Sequence, residues 1–337
     1  MTTPTTGGSP TGEAPDPSLD ERMRALEAAA DAARAAPSVH DSRPWTIVLH
    51  RDRLELLADP SRRLAALDPA GRELVESLGA ALFNVRVSLA AGGWAVAVDR
   101  FPDSARPDLA AVVRPVHGAP EPGIAQLASV VHQRRSNRRG FLAEEVPDEL
   151  LDHLAAAAAA EGATLVPVLT PEHRRLVVQL SREADMAQSG DPACRADLRR
   201  WRTQPAPAGG PSAPEDPFPP ERARADSESG ADRSFVLLAT RADDPPAWLR
   251  AGEALQRLLL QLTRLGWAAG PMTQALEVSR TRDQLRAGIT GEQHPQMLLR
   301  IGFAAPAEEA PRRRRDDAVR DRVPRPVPDG RGGTTWV

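Results

Sequence analysis

Not one lysine or tyrosine stands among the 337 residues, and Cys194 is the single cysteine. Without lysine there is no Schiff-base amine and no lysine of a phosphate-binding P-loop, so any phosphate must be held by arginine and backbone. Without tyrosine there is no tyrosine general acid. A single thiol excludes an internal disulfide framework and any multi-cysteine metal site, and Cys194 reads as structural or incidental. None of the seven histidines lies close enough in sequence to another to suggest zinc, and no metal site is expected. No uninterrupted apolar run approaches the ~20 residues of a membrane span, and the Thr, Ser and Pro-rich start lacks a basic segment followed by an apolar core, so a cytoplasmic protein is expected. A formal net charge of -3 gives no global field toward polynucleotide or anionic membrane, and neither partner is expected.

What is present suits one large or two medium domains: 41% of residues are hydrophobic and 26% charged. Residues 1–17 are too polar and Pro-rich to order. Ser18 and Glu21 have capping-box spacing, and Met23, Leu26, Ala30 and Ala33 follow at helical intervals until Pro37 stops the helix. Trp45 to Leu49 reads as a strand, Leu54-Glu55-Leu56 as its hairpin partner, and Leu74, Leu78, Leu82, Val85 and Leu89 as the buried face of a long helix ended by Gly92-Gly93. Apolar segments at 94–98 and 109–113 close a first unit, residues 18–120. A second unit, residues 121–304, starts with a helix near Pro122. Pro147 then opens another helix with Leu150, Leu151 and Leu154 inward. A strand at 164–169, a helix from Pro171 and an amphipathic stretch to Trp201 follow. Residues 205–230 are too polar and kinked to build a core and read as a linker or lid. A strand from Phe235 to Thr240, a helix at 248–265 and a strand at 296–303 complete the unit, before an Arg and Pro-rich tail at 305–337. The halves share an order of elements without obvious identity.

Two segments carry chemistry. Gln133-Arg134-Arg135-Ser136-Asn137-Arg138-Arg139 gathers four guanidinium groups around a hydroxyl and an amide, a set matched to an oxyanion such as phosphate. Taken alone, the run reads equally well as cations at a helix C-terminus, because Ile124, Leu127, Ala128 and Val131 repeat just upstream. The second segment, Pro37-Ser38-Val39-His40-Asp41-Ser42-Arg43-Pro44-Trp45, is a loop pinned by two prolines and a tryptophan that offers hydroxyl, imidazole and carboxylate groups.

Together the two segments resemble those of the flavin-dependent nitroreductase superfamily, Arg-Arg-Ser-x-Arg and Pro-Ser-x-x-Asn-x-Gln-Pro-Trp, here in reversed order. The reversal resembles the Acg-type branch, in which one chain reads as a fused dimer. Ala58-Asp59-Pro60-Ser61-Arg62-Arg63, Gly71-Arg72-Glu73-Leu74, Gly79-Ala80-Ala81-Leu82-Phe83-Asn84, Pro271-Met272-Thr273-Gln274 and Leu299-Arg300-Ile301-Gly302 add to it. The resemblance implies an α+β fold with mixed and antiparallel sheets flanked by helices, in two pseudo-symmetric halves. It implies FMN as cofactor, with Arg134, Arg135, Ser136, Asn137 and Arg138 at the phosphate and ribityl chain and Arg312 and Arg313 closing the pocket. Ser38, His40 and Asp41 would approach from the first half, and Pro271, Met272 and Thr273 would lie against the flavin ring, where the residues alone also permit a helix-ending loop. It implies NAD(P)H and a small-molecule electron acceptor as partners, and a chain that is monomeric as a fused pseudo-dimer, with further association open. Asp41 and Arg43 replace the asparagine and glutamine of the pattern, so a carboxylate stands where an amide is expected. No catalytic side chain is identified. Two other functions remain in view: an FMN-holding protein without turnover, and an interaction protein using its arginine patches.

Overall fold

The computed structural model describes residues 18–137, 141, 145–202, 235–303, 318–321, 326–328 and 334–336. Helix α1 (Leu19–Ala33) starts at a capping box in which the Ser18 hydroxyl accepts from the Glu21 N–H and the Glu21 carboxylate accepts from the Ser18 N–H. Strands β1 (Trp45–Leu49) and β2 (Leu54–Ala58) form an antiparallel hairpin with Trp45 opposite Ala58. The long helix α2 (Arg72–Ala91) follows, then β3 (Ala95–Arg100) and β4 (Leu109–Val116).

The same succession returns. Helix α3 (Asp148–Ala159) leads to β5 (Thr164–Pro167), where two helices, α4 (Pro171–Gly190) and α5 (Pro192–Arg202), are inserted. Then come β6 (Phe235–Thr240), α6 (Pro245–Arg264), β7 (Ala268–Pro271), the short α7 (Gln274–Glu277) and α8 (Ser279–Leu285), and β8 (His294–Gly302). The strand orders are β3-β4-β2-β1 and β7-β8-β6-β5, with every one of these pairs antiparallel. Set side by side, the sheets are the same sheet twice, with α2 and α6 in equivalent places. The protein is α+β and its two halves are pseudo-symmetric. The final chain segment then crosses back: β9 (Val319–Asp321) adds to the first sheet, parallel to β1, with Ile47 opposite Val319. Strands β10 (Pro326–Pro328) and β11 (Thr334–Trp336) pair with each other.

Each long helix packs one side on its own sheet. Leu78, Leu82 and Val85 of α2 meet Ile47, Leu56 and Val113, while Leu255, Leu258 and Leu262 of α6 meet Val236, Leu238 and Leu299. The other sides meet each other. Leu249 of α6 lies in the first core, and Phe83 and Leu260 share a cluster with Ile124 and Leu127. By length and composition α2 would cross a membrane, which qualifies the expectation of no such segment. It is instead a core helix, because its Arg72, Glu73, Glu76 and Arg86 are buried and paired inside the protein.

One expected helix is corrected. Residues 125–130 form a short 3-10 helix, a turn follows at 131–133, and the arginine run then reaches an isolated bridge at Ser136. Cys194 is buried against Leu64 and Leu67, as a small apolar residue. The insertion at 205–230 lies outside the described residues.

Candidate functional site

The arginine run is held by strand pairing. Ser136 forms a parallel bridge with Ala269, and the Asn137 N–H donates to the Ala269 carbonyl over 2.8 Å. Gly270 makes this approach possible, since a Cβ there would stand 2.5 Å from the Asn137 carbonyl oxygen. Arg134 and Asn137 are buried, and Arg134 Nη1 donates to Ser136 Oγ over 3.2 Å. Arg135 folds over the turn, its Nη1 donating to the carbonyls of His132 (2.7 Å) and Arg134 (2.8 Å). Phe141 lies under the guanidinium of Arg300, 5.0 Å from its ring centroid.

The strand that receives the run leads to the next group of residues. Pro271 ends β7 opposite Leu299, the Met272 N–H continues the pairing by donating to Leu298, and Thr273 starts α7 by accepting from the Leu276 and Glu277 N–H groups. The helix-ending loop that the residues alone permitted is therefore a strand edge with its continuation. From Ala269 to Thr273 the extended chain spans about 13 Å.

At the far end stands the loop from the first half. His40, Asp41 and Arg43 all have left-handed backbones, with φ of 45°, 57° and 48°. Three such residues without glycine carry strain that local bonds must offset. The Arg43 N–H donates to Ser38 Oγ (2.9 Å), the Val39 N–H to Ser77 Oγ (3.1 Å), and Arg62 Nη1 to the Ser42 carbonyl (3.0 Å), while Trp45 anchors the exit in the core. Because Ser38 Oγ accepts from within the loop, its own proton remains for donation. Arg43 grips Asp41 with two bonds, Nε to Oδ1 at 3.1 Å and Nη2 to Oδ2 at 2.9 Å, so the two residues that depart from the family pattern form an ion pair. Asp41 is 52% exposed, and the pair fixes geometry more than it stabilises the fold.

The two halves touch where His40 Nε2 meets Glu277 Oε1 at 3.2 Å. The Glu277 side chain is 1% exposed and is also bound by Gln188 from α4. Burial opposes its ionisation, but hydrogen bonds from His40, Thr273 and Gln188 outweigh it and hold the carboxyl below its ordinary range. Behind it, at the start of α2, Arg72 donates to Glu73 (2.8 Å), Glu76 (2.8 Å) and the carbonyls of Gln296 (2.6 Å) and Leu276 (3.3 Å). Glu73 is pushed well above the carboxylate range by burial and by the nearby Glu277 charge, and Glu76 is pushed up to about 7, chiefly by burial.

Ser38, His40, Asp41, Ser136, Asn137, Arg134, Arg135, Pro271, Met272 and Thr273 thus lie along one continuous path of contacts through β7 and α7. Arg138, Arg312 and Arg313 lie outside the described residues. Asn84 belongs to the core, donating to the Ala32 carbonyl and accepting from Gln256. Sequence reasoning did not single out Glu277 or Gln188. The signal for the neighbouring acid cluster was there, in Arg72, Glu73 and Glu76 crowded into the first turns of an otherwise apolar helix. Among the described residues no group of side chains forms a metal site.

Residues 131–303, from the arginine run to the end of β8, match the Nitroreductase family model. A putative NAD(P)H nitroreductase of Mycobacterium tuberculosis is 35% identical over 306 residues, covering 84% of this chain and 88% of its own. The putative NAD(P)H nitroreductase acg of the same organism is 30% identical over 304 residues, covering 85% and 91%. Among solved structures, a nitroreductase with bound FMN from Desulfitobacterium hafniense gives a TM-score of 0.37 at 16% identity, covering 57% of this chain and 95% of that one.

Proposed function

The chain belongs to the nitroreductase family, and on that premise we propose that it binds FMN and acts as an NAD(P)H-dependent oxidoreductase with one site per chain. The observation that carries this reading is the Ser136–Ala269 bridge, which sets the arginine run on the strand that leads to Thr273 and the His40 loop. The donor set fits the cofactor. Arg134, Arg135 and Ser136 offer guanidinium and hydroxyl donors suited to a phosphate, joined in the proposal by Arg138, Arg312 and Arg313. Asn137 fixes the run, Ser38 has a hydroxyl proton to give, and Pro271, Met272 and Thr273 would lie against the planar ring. FMN, when bound, would supply the two-electron redox chemistry at N5 between NAD(P)H and a nitro compound, quinone or similar acceptor. The protein's part is to hold the cofactor, orient it and exclude water, with both halves of the pseudo-dimer contributing.

A second reading has one observation in its favour. Gln188 at the end of α4 is bonded to Glu277, so the helical insertion of the second half stands against the His40 loop. An insertion that closes the site to nicotinamide would leave a protein that holds FMN without turnover. Purified protein is expected to be yellow, to bleach anaerobically with NADPH and to recover its colour with a nitrofuran. A bound flavin that ignores NADPH transfers the conclusion to FMN holding. A colourless protein whose partner binding falls steeply with salt would instead support an arginine-patch interaction protein.

A further inference from the structure

We infer that His40 donates the proton consumed when the acceptor is reduced, and that Glu277 is the positioning residue that orients its ring; this rests on the oxidoreductase reading above. A quinone that takes up hydride becomes a hydroquinone anion, and the second oxygen then needs one proton. Asp41 is engaged by Arg43, and among the side chains gathered here the imidazole of His40 is the type that most often serves as a general acid.

The geometry is that of an imidazole oriented by a carboxylate. His40 Nε2 faces Glu277 Oε1 at 3.2 Å, and the carboxylate is fixed in turn by Gln188 and Thr273. Such a partner sets which ring nitrogen points where and leaves Nδ1 as the nitrogen available to a bound molecule. The His40 side chain is 24% exposed, whereas Glu277 is 1% exposed, so the outward group is the imidazole. The loop keeps His40 at φ 45° although that backbone is costly for a residue with a side chain, and strain of this kind marks positions whose orientation matters. The charged and titratable groups around the pair are Arg72 and Glu73 on α2, Cys194 on α5, and Asp41 and Arg43 on the loop itself. Glu73 is engaged by Arg72 at 2.8 Å, whereas Glu277 is the carboxylate that meets the imidazole.

In the step itself, bound cofactor would supply the hydride that the quinone takes up, the Nδ1–H bond of the His40 imidazolium breaks, and an O–H bond forms on the second quinone oxygen. The imidazole is left neutral and regains its proton from water. Atoms and electrons balance as quinone plus hydride plus proton giving hydroquinone.

The test compares reoxidation of NADPH-reduced holoprotein by a quinone and by ferricyanide, which takes electrons without a proton, in wild type, His40→Asn and Glu277→Gln. Asparagine tolerates a left-handed backbone and keeps an N–H for Glu277. In His40→Asn the quinone rate relative to the ferricyanide rate is expected to fall about 100-fold and to lose its pH dependence. In Glu277→Gln the pH profile of the quinone step is expected to move. A third measurement needs no flavin: in apoprotein labelled with 15N-histidine, the imidazole signal missing from His40→Asn is expected to shift in Glu277→Gln. An unchanged rate ratio in His40→Asn, or an unmoved signal in Glu277→Gln, overturns the inference. Protein that carries no flavin and is not reduced by NADPH defeats the oxidoreductase reading and this inference with it, whereas normal NADPH reduction with a quinone step indifferent to His40 defeats this inference alone.

Discussion

Gly79 and Gly252 meet backbone to backbone where the two long helices touch. Each is the eighth residue of its twenty-residue helix. A Cβ on Gly79 would stand 2.0 Å from the Leu249 carbonyl oxygen, and one on Gly252 would stand 1.9 Å from that of Glu76, and Leu249 and Glu76 are each the fifth residue of their helices. The contact is thus reciprocal, as a two-fold axis requires, although both surfaces belong to one chain.

Alanine at either position removes that fit. Helix propensity favours the change by ~1 kcal/mol, but a methyl group inside a backbone carbonyl's radius forces the helices apart. Gly79→Ala or Gly252→Ala is expected to cost about 3 kcal/mol, at the upper end for overpacking. Gly190→Ala, at the end of α4 where an added Cβ meets nothing, is expected to be neutral or mildly stabilising. Urea unfolding of the three variants decides it, and equal midpoints would show that the helices can separate freely.

The Asp41–Arg43 pair makes a prediction about coupling. If the pair replaces two family amides as a unit, Asp41→Asn removes the bidentate carboxylate from Arg43 and Arg43→Gln removes the bidentate guanidinium from Asp41. Each single change is expected to weaken FMN retention several-fold, while the double variant recovers most of it. Fluorescence titration of stripped protein with FMN measures the cycle, and additive losses would show that the two residues act separately.

Much of this architecture can be read from residues alone. The strands Trp45–Leu49 and Phe235–Thr240 follow from short apolar runs between turn residues, and α1 from Ser18 and Glu21. What escapes is made by contact. Strand β7 has the sequence Ala-Ala-Gly-Pro, without a β-branched or aromatic residue, and is a strand because β8 and the arginine run flank it. The arginine run looks like a helix end because its upstream apolar spacing is helical, yet the chain turns at 131–133 and Ser136 pairs with Ala269. Glu277 and Gln188 are ordinary helical polar residues until the fold sets them against His40, which lies 237 positions from Glu277. The repeat is legible as a shared order of helices and strands in the two halves, because the apolar pattern repeats where residue identity does not.

A second ionic network lies across the halves. Arg86 Nη1 donates to Glu161 (2.6 Å) and Glu253 (2.8 Å), Arg100 donates to both Glu253 oxygens (2.7 and 2.8 Å), and Arg257 Nη1 donates to Glu161 (2.7 Å) and Glu121 (3.3 Å). Glu253 is completely buried and faces two guanidinium groups, so neutralising it leaves uncompensated buried charge. Glu253→Gln is expected to cost about 3–5 kcal/mol. Glu172→Gln, which breaks the exposed pair with Arg175, is expected to change stability by less than about 0.5 kcal/mol. Thermal unfolding of the two variants at one pH distinguishes them, and similar losses would mean that burial does not decide the value of a pair here.

Glu76 sets the direction of a pH effect. Its carboxyl is pushed up to about 7 in the folded chain, above its ordinary 4.5, with burial outweighing the attraction of Arg72. The folded state therefore binds this proton more tightly than the unfolded state, and folding stability is lost as pH rises from about 4.5 to about 7. At about 1.4 kcal/mol for each unit of difference, the loss across that window is on the order of 3 kcal/mol for this fully buried group. Glu73, raised in the same direction by burial and by the charge of Glu277, adds to the slope. Glutamine keeps a carbonyl oxygen for Arg72 and cannot ionise, so Glu76→Gln is expected to flatten the fall in stability across this window. Denaturant unfolding at several pH values gives the slope for each protein. Parallel slopes in wild type and variant would place Glu76 in ordinary ionisation and remove it as the source of the effect.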